Sequence, residues 1–324
     1  MRHVGRHASM DIGSNTIRLL VADAGPCESF KKLYSSQKIT RLAQRSHETG
    51  LLSEEAMERT IAGAGELLAG AAHLRPFFVS AAATHAVRRA KNGPEFAGRF
   101  RQRLGFPLNV IEWEKEAELS LKGAGTVVGM KNPILLFDIG GGSTEFIYRG
   151  ADARVRAVGT ELGVVRLAET FIKHAPLVME EYRNLEAYLK AELAKTALEL
   201  SPEKPFLLVG TAGTITSIAA IIYNVRSYSP ERVNNKILPR KAVADLLGEI
   251  GRLTLGERSK ITTLENGRED LIIPGIALAL AVMDAFAVEY ITVSDAGLRE
   301  GIMSAAVEGS IPSELLSQQK GKIS

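Results

Sequence analysis

The sequence predicts an α/β protein of two domains, each built on a mixed sheet, and three observations carry that expectation. Segments of strand and helix character alternate along the whole 324-residue chain. That length exceeds what one core usually holds, since a domain averages roughly 150 residues. Two segments, MDIGSNTIRLLVAD at 10–23 and FDIGGGSTEFIYRG at 137–150, are weak copies of each other. In both, Asp-Ile-Gly ends a strand, small or hydroxyl residues follow, and β-rich sequence resumes at once (TIRLLVA, EFIY). That is a hairpin, not a strand feeding a helix, so a mixed sheet is expected in each half over a purely parallel one.

The first domain is expected over residues 1–127. After the first Gly-rich turn, LLSEEAMERTIAGAGELLAG places apolar residues at helical spacing behind Ser53, an N-cap. FFVSAAAT reads as a buried strand, and residues 84–92 open a helix that Gly93-Pro94 is expected to end. LNVIEW is a further strand. EKEAELSLKGAG reads as a short helix stopping at its glycine pair, before the loop VVGMKNP. The second domain, expected over 128–299, restarts with ILLFDIG and the second turn. A helix follows from about 163 to 173 and a charged helix over roughly 178–198. FLLVG is a strand, GTAGT its turn, and ITSIAAIIYN an apolar helix. The rest reads as mostly helical, with a last strand at YITVSDAG. A C-terminal helix over about 300–324 is a candidate to pack back onto the first domain.

Composition narrows the function classes. The apolar (45%) and charged (24%) fractions are those of an ordinary globular protein. A net charge of +3 is small for the length, which argues against a dedicated nucleic-acid partner. Cys27 is the only cysteine, so neither an intrachain disulfide nor a cysteine metal cluster is expected, and the cytoplasm is the simplest location. The basic N-terminus lacks the apolar stretch of a signal peptide. The most apolar window, 271–288, contains Pro274, Gly275 and Asp284 and reads as a buried helix, so no membrane association is expected.

A tight turn of Gly and Ser lets backbone N–H groups converge on an anion, because absent side chains admit an oxyanion. Asp11 and Asp138 stand where a carboxylate holds a divalent cation or its water shell. Most single Gly-rich hairpins bind nothing, but two in the same register suggest a duplicated domain gripping one phosphate from both sides. A third element, VGTAGT at 209–214, lies between strand and helix, where free N–H groups and the helix dipole favour an anion. Competing motifs are missing. No GxxxxGKS or GxxxxGKT occurs, and Gly140-Gly141-Gly142 does not continue as GxGxxG into a helix.

DIGSNT, DIGGGSTE and GTAGT, in this order, resemble the phosphate and nucleotide loops of the actin and sugar-kinase superfamily. More narrowly, DIGSNTIRLLVAD, the Thr84-to-Arg88 element, EKEAEL, DIGGGSTE, GVVRL, GTAGTIT and SDAGLREG together resemble the exopolyphosphatase and guanosine pentaphosphate phosphohydrolase family, from residue 10 to about 303. The resemblance implies two actin-like, ribonuclease H-like domains with mixed five-stranded sheets flanking a cleft. It implies Mg2+-dependent attack of water on the terminal phosphoanhydride of inorganic polyphosphate or on the 5′-γ-phosphate of guanosine pentaphosphate, and a homodimer as an open possibility. Longer members add a helical HD-type domain. The six His residues here form no His-Asp pair, so that domain is not expected.

The resemblance also suggests roles. Glu116 precedes Ala117 as the family's catalytic Glu precedes an Ala, which makes it the candidate general base. Neighbouring acids in a cleft would raise its pKa toward neutrality. By composition alone, Glu112, Glu114, Glu116 and Glu118 read as a solvated helix face. The run Trp113-Glu114-Lys115-Glu116-Ala117 departs from the Gly-x-Glu-Glu-Ala of many relatives and keeps Glu114 as a second candidate. Asp138 and Glu145 are the candidate Mg2+ ligands, with Asp11 a further contributor; the alternative makes Asp138 a turn cap and Glu145 an exposed strand residue. Gly13, Ser14, Asn15, Gly140, Gly141, Gly142, Ser143 and Thr144 are the candidate phosphate donors, joined by Gly210, Thr211, Gly213 and Thr214 of the third element. Thr84 resembles the Thr beside the leaving phosphate, with a helix cap as the alternative, and Arg18 either reaches the phosphate chain or faces solvent. Arg268 resembles the Arg of the family's Arg-Ala-Asp segment, with Glu269 in place of that Ala. Arg166 and Arg299 are expected to hold structure through ion pairs. Arg88, Arg89, Lys91, Arg99, Arg101 and Arg103 form either a stripe guiding a polyanion or a solvated face. Two other readings stay open: an actin-fold kinase using ATP, and a non-catalytic sensor of guanosine tetraphosphate or polyphosphate.

Overall fold

A computed structural model describes residues 5–25, 30–76, 78–308 and 317–318. Cys27, and the expected C-terminal helix beyond Glu308, lie outside the described residues. The chain forms two compact units, Met1–Gly123 with Gly297–Ser324, and Ala124–Ala296.

Unit 1 opens as an antiparallel meander of β1 (Arg6–Ile12), β2 (Thr16–Ala24) and β3 (Phe30–Ile39). Helices α1 (Ser46–Thr49) and α2 (Glu54–Ala71) lead to β4 (Phe78–Ala83), which lies parallel to β1. Then α3 (His85–Arg89) and α4 (Gly93–Leu104) return the chain to β5 (Leu108–Val110), parallel to β4, and α5 (Trp113–Val128) follows. Ser53 caps α2 as expected, its hydroxyl accepting from the Ala56 N–H at 3.2 Å. Met57, Ile61 and Leu68 of α2 pack with Met10, Ile12 and Leu19 of the hairpin and with Phe96 and Phe100 of α4.

Unit 2 repeats the meander with β6 (Ile134–Ile139), β7 (Thr144–Arg149) and β8 (Val155–Thr160). After α6 (Val164–Phe171) and α7 (Met179–Leu200), β9 (Leu207–Thr211) lies parallel to β6. Next come α8 (Ala212–Ile222), α9 (Pro230–Val233), β10 (Ile237–Pro239), α10 (Arg240–Gly251), α11 (Leu255–Arg258) and α12 (Ile272–Ala285). The unit closes with β11 (Tyr290–Val293), parallel to β9. Helix α12 is the buried apolar helix expected at 271–288. Pro274 sits in its first turn, where a missing N–H costs nothing, and Gly275 lets Thr214 of α8 approach closely. Among the described residues no helix is long and apolar enough to cross a membrane.

The chain then returns to unit 1. Helix α13 (Leu298–Glu308) packs against β1 and β2, with the Ser9 hydroxyl donating to the Arg299 carbonyl at 3.0 Å, and the two-residue β12 (Ser317–Gln318) pairs with β4. The first sheet therefore has the five expected strands plus β12, and the second has six.

Two local expectations need correction. Gly93-Pro94 starts α4 instead of ending the previous helix, because a Pro in the first turn gives up an N–H that has no intrahelical partner there. Helix α5 runs through Gly123 and Gly125 to Val128 instead of stopping at them. Gly123 is needed for contact: a Cβ there would lie 1.9 Å from the Gly297 carbonyl oxygen.

Candidate active site

The two Gly-rich turns are the same turn, position for position. In unit 1, Asp11 lies opposite Arg18 and Ile12 opposite Ile17, and the Gly13 N–H donates to the Thr16 carbonyl at 3.1 Å. In unit 2, Asp138 lies opposite Glu145 and Ile139 opposite Thr144, and the Gly140 N–H donates to the Ser143 carbonyl at 2.9 Å. Ser14, Asn15, Gly141, Gly142 and Ser143 are buried in these turns.

What backs each turn decides where its N–H groups point. In unit 2 the carbonyls of Gly140 and Gly141 accept from the first two N–H groups of α6, Val164 at 3.1 Å and Val165 at 2.9 Å. In a trans peptide the carbonyl and the following N–H point opposite ways. The N–H groups of Gly141 and Gly142 therefore turn away from α6, side by side. Gly163 makes the approach feasible, since a Cβ on it would lie 2.2 Å from the Gly142 carbonyl carbon. In unit 1 the Ala43 N–H donates to the Ser14 carbonyl at 2.8 Å, and those of Thr40 and Arg41 to Asn15 at 2.9 Å. This turns the Asn15 N–H away from residues 40–43, as the Gly141 and Gly142 N–H groups turn away from α6. Adjacent outward N–H groups form a small anion nest.

Asp138 and Glu145 share one face of the β6–β7 hairpin as a directly opposed pair, and Glu145 is only 3% exposed. The exposed-strand alternative for Glu145 is thereby excluded. Carboxylates opposed across a ladder repel each other, and a divalent cation reverses the sign of that interaction. Mg2+ keeps several waters and takes one or two carboxylates plus phosphate oxygens, so this donor set fits it. Among the described residues no group of three or more His, Cys, Asp or Glu stands together as a fuller metal cage. The unit 1 counterpart opposes Asp11 with a cation, Arg18, whose Nε also donates to Gln37 at 3.3 Å.

Thr84 follows β4 directly, and its N–H reaches the Ile12 carbonyl at 3.4 Å, which brings it level with the first turn. One turn further along, Arg88 Nη1 donates to Glu116 Oε2 at 3.0 Å and to the Ile111 carbonyl at 2.7 Å. Glu116 is 8% exposed, whereas Glu112, Glu114 and Glu118 are at the surface. Burial thus separates Glu116 from Glu114, which a solvated face would not. The Arg88 guanidinium is one hydrogen-bonding neighbour of Glu116.

Helix α8 begins inside GTAGT at Ala212, whose φ is +68°. Arg268, 6% exposed, lies against Gly213 so closely that a Cβ there would be 2.3 Å from Nη2, and its Nε donates to Glu265 at 2.8 Å. A guanidinium at the positive end of a helix makes a site for an anion. Glu269 engages its own turn through the Gly267 N–H at 2.9 Å. Other residues of these loops act as braces. Thr144, Thr211 and Thr214 donate their hydroxyls to the carbonyls of Leu162, Ala296 and Ile139. Gly210 makes room for Phe137, Ile215 and Ile291.

Three residues of the basic stripe, Arg88, Arg99 and Arg103, are ion-paired. Arg99 bonds Glu54 and Glu95, and Arg103 faces Glu58 at 3.7 Å. Arg166 pairs with Glu161 at 2.7 Å and Arg299 with Glu300 at 2.5 Å, the structural roles expected for both. Sequence reasoning missed the 40–43 turn as backing for the first loop, which no local signal marks; Gly163 opens the GVVRL motif, but the motif does not show that it backs the second loop.

The sequence model of the Ppx/GppA phosphatase family matches residues 20–308. A bifunctional 3-dehydroquinate synthase/phosphatase of Fusobacterium nucleatum is 29% identical over 93% of this chain, which spans only 46% of that longer relative. Exopolyphosphatase 1 of Mycobacterium tuberculosis is 29% identical, with 91% of this chain and 86% of the relative covered. A crystal structure of the Aquifex aeolicus Ppx/GppA family member superposes with a TM-score of 0.79 at 32% identity, covering 95% of this chain and 99% of that one. The fold is thus the actin-like α/β class, and the chain belongs to the Ppx/GppA phosphatase family.

Proposed function

We propose that the protein releases terminal orthophosphate from inorganic polyphosphate, with Mg2+ as cofactor. One observation carries the reading: Glu116 is buried against Arg88, on the segment that Thr84 begins beside the first anion turn. The coverage shared with the mycobacterial exopolyphosphatase supports the choice of substrate.

In this reading the Asn15 N–H in unit 1 and the N–H groups of Gly141 and Gly142 in unit 2 are each donors to phosphate oxygens, and Arg268 with the start of α8 is a further one. Asp138 and Glu145 hold the Mg2+, which when bound offsets the charge on the phosphate oxygens. Glu116, oriented by Arg88, accepts a proton from water as the water oxygen bonds to the terminal phosphorus. The bond from that phosphorus to the bridging oxygen breaks, and the oxygen keeps the electron pair as the new end of a chain one phosphate shorter. Thr84 donates a hydrogen bond to that oxygen.

Phosphate release is measured side by side from long polyphosphate, tripolyphosphate and guanosine pentaphosphate, with Mg2+ and with a chelator. Release from polyphosphate that the chelator abolishes is expected. Release from guanosine pentaphosphate alone would move the substrate to the nucleotide. Tight polyphosphate binding without turnover would replace the enzyme with a sensor.

A further inference from the structure

Arg258, the last residue of α11, is the largest fully buried side chain among the described residues, 1% exposed. A buried charge is costly unless it is paired or hydrogen-bonded. This guanidinium makes no ion pair by hydrogen bond, although the charge of Asp270 opposes the effect of burial. Its two hydrogen bonds go to backbone carbonyls. Nε reaches Ile250 and Nη1 reaches Glu269, both at 3.3 Å, while Nη2 is buried without a partner.

Both carbonyls are informative. Ile250 lies in the last turn of α10, where the negative end of the helix favours a cation. Glu269 is the residue after Arg268. In the Arg268 turn the Arg268 N–H donates to Glu265 at 3.2 Å, the Arg268 carbonyl accepts from Leu271 and from Ile272 of α12, both at 3.1 Å, and the Gly267 N–H donates to the Glu269 side chain at 2.9 Å. Arg258 adds a tie to a different element. It is not needed to start α11, which Thr254 and Glu257 hold by a capping box.

We propose that Arg258 is a positioning residue for phosphate binding: it fixes the Glu269–Asp270 peptide, one residue beyond Arg268, and so helps to set where the Arg268 guanidinium stands over Gly213. The inference rests on the phosphate-binding role given to Arg268 above. Gly213 leaves no slack in that contact, and a displacement of about 1 Å is enough to misalign a bound oxyanion.

The test is a double-mutant cycle in the full chain with Arg258→Met, Arg258→Lys and Arg268→Met, read as kcat and KM on polyphosphate, as Kd for tripolyphosphate by calorimetry, and as Tm. For Arg258→Met we expect KM and Kd to rise about tenfold with kcat changed less than about threefold. Arg258→Lys keeps the charge at the end of α10 but cannot span both carbonyls, and falls between. In the Arg268→Met background, neither Arg258 substitution adds more than about twofold.

A merely structural arginine lowers Tm without this coupling. Unchanged KM and Kd in a folded Arg258→Met, or a full multiplication with Arg268→Met, overturns the proposal; if the Met variant does not fold, Arg258→Lys decides on the same criteria. Arg268→Met with wild-type KM and Kd overturns the role of Arg268 and the proposal together. If polyphosphate is not hydrolysed at all, the hydrolase reading fails separately, and the tripolyphosphate cycle still decides Arg258.

Discussion

Glu116 differs from the three glutamates around it by its burial and its hydrogen bond from Arg88, and that difference has a chemical consequence. A carboxylate out of bulk water with a guanidinium at 3.0 Å has a fixed orientation, whereas Glu114 at the surface samples many. Glu116→Gln keeps the shape and the hydrogen bond from Arg88 but cannot accept the proton. We expect kcat on polyphosphate to fall about 10²- to 10⁴-fold with an unchanged fold, against less than about twofold for Glu114→Gln. Near-normal release by Glu116→Gln would remove it as the base. A second buried carboxyl serves stability. Burial by itself pushes the Glu300 carboxyl up, but the charges of Arg299 and Lys32 and the hydrogen bonds from Arg299 and the Gly297 N–H outweigh it, bringing it from 4.5 down to about 2. The unfolded chain therefore takes up this proton first as pH falls. The contribution, on the order of 3 kcal/mol, is complete above pH 4.5 and is lost progressively down to about pH 2. Urea unfolding should show Glu300→Gln less stable than wild type at neutral pH, with the gap closing across that window; a gap independent of pH would contradict the assignment.

At the scale of elements, glycine acts through what it lets touch. Helices α5 and α13 cross at backbone contact. A Cβ on Gly301 would lie 1.8 Å from the Leu119 carbonyl oxygen, and one on Gly123 1.9 Å from that of Gly297. Gly301→Ala has to push the helices apart and should cost about 2 kcal/mol or more. Gly98, in α4, has nothing within 4 Å of its would-be Cβ. There Ala should stabilise by about 0.5–1 kcal/mol, through helix propensity and a less free unfolded chain. Opposite signs in thermal unfolding are the expected outcome, and equal effects would show that propensity, not contact, governs both. The same contrast explains what could be read from sequence. The Gly-rich turns were legible because their reason is local: Asp-Ile-Gly and the following small residues define the hairpin and its anion nest without help. The glycines of α5 were misleading because their reason is tertiary, in a helix far along the chain. Gly93-Pro94 carries a helix boundary that composition alone cannot orient. In the site, Glu116 and Arg268 were reachable through the family resemblance. The burial that separates Glu116 from Glu114, the contact of Arg268 with Gly213 and the backing of the turns by Gly163 and residues 40–43 all depend on distant segments, which no local pattern reports.

For the whole molecule, the duplication matters for where its copies diverge. Both units present a strand, a four-residue turn closed by the same glycine N–H, and a strand returning antiparallel. They differ in the pair that faces across the ladder just before the turn: Asp11 with Arg18 in unit 1, Asp138 with Glu145 in unit 2. A carboxylate opposed by a cation is already balanced and adds little drive to hold a metal. Two opposed carboxylates gain from a divalent cation. Of the two hairpins, that of unit 2 should therefore carry the metal requirement and that of unit 1 a direct charge attraction for the polyanion. We expect Asp138→Asn and Glu145→Gln each to raise the Mg2+ concentration for half-maximal phosphate release by about tenfold or more. Arg18→Met should raise KM for polyphosphate several-fold, as loss of one charge-assisted contact does, and leave the Mg2+ midpoint in place. The two titrations separate the roles because Mg2+ and polyphosphate are varied independently, each with the other saturating. If Arg18→Met moved the Mg2+ midpoint as far as Asp138→Asn does, the two hairpins would act on the metal alike, and the division of labour inferred from their opposed pairs would be wrong.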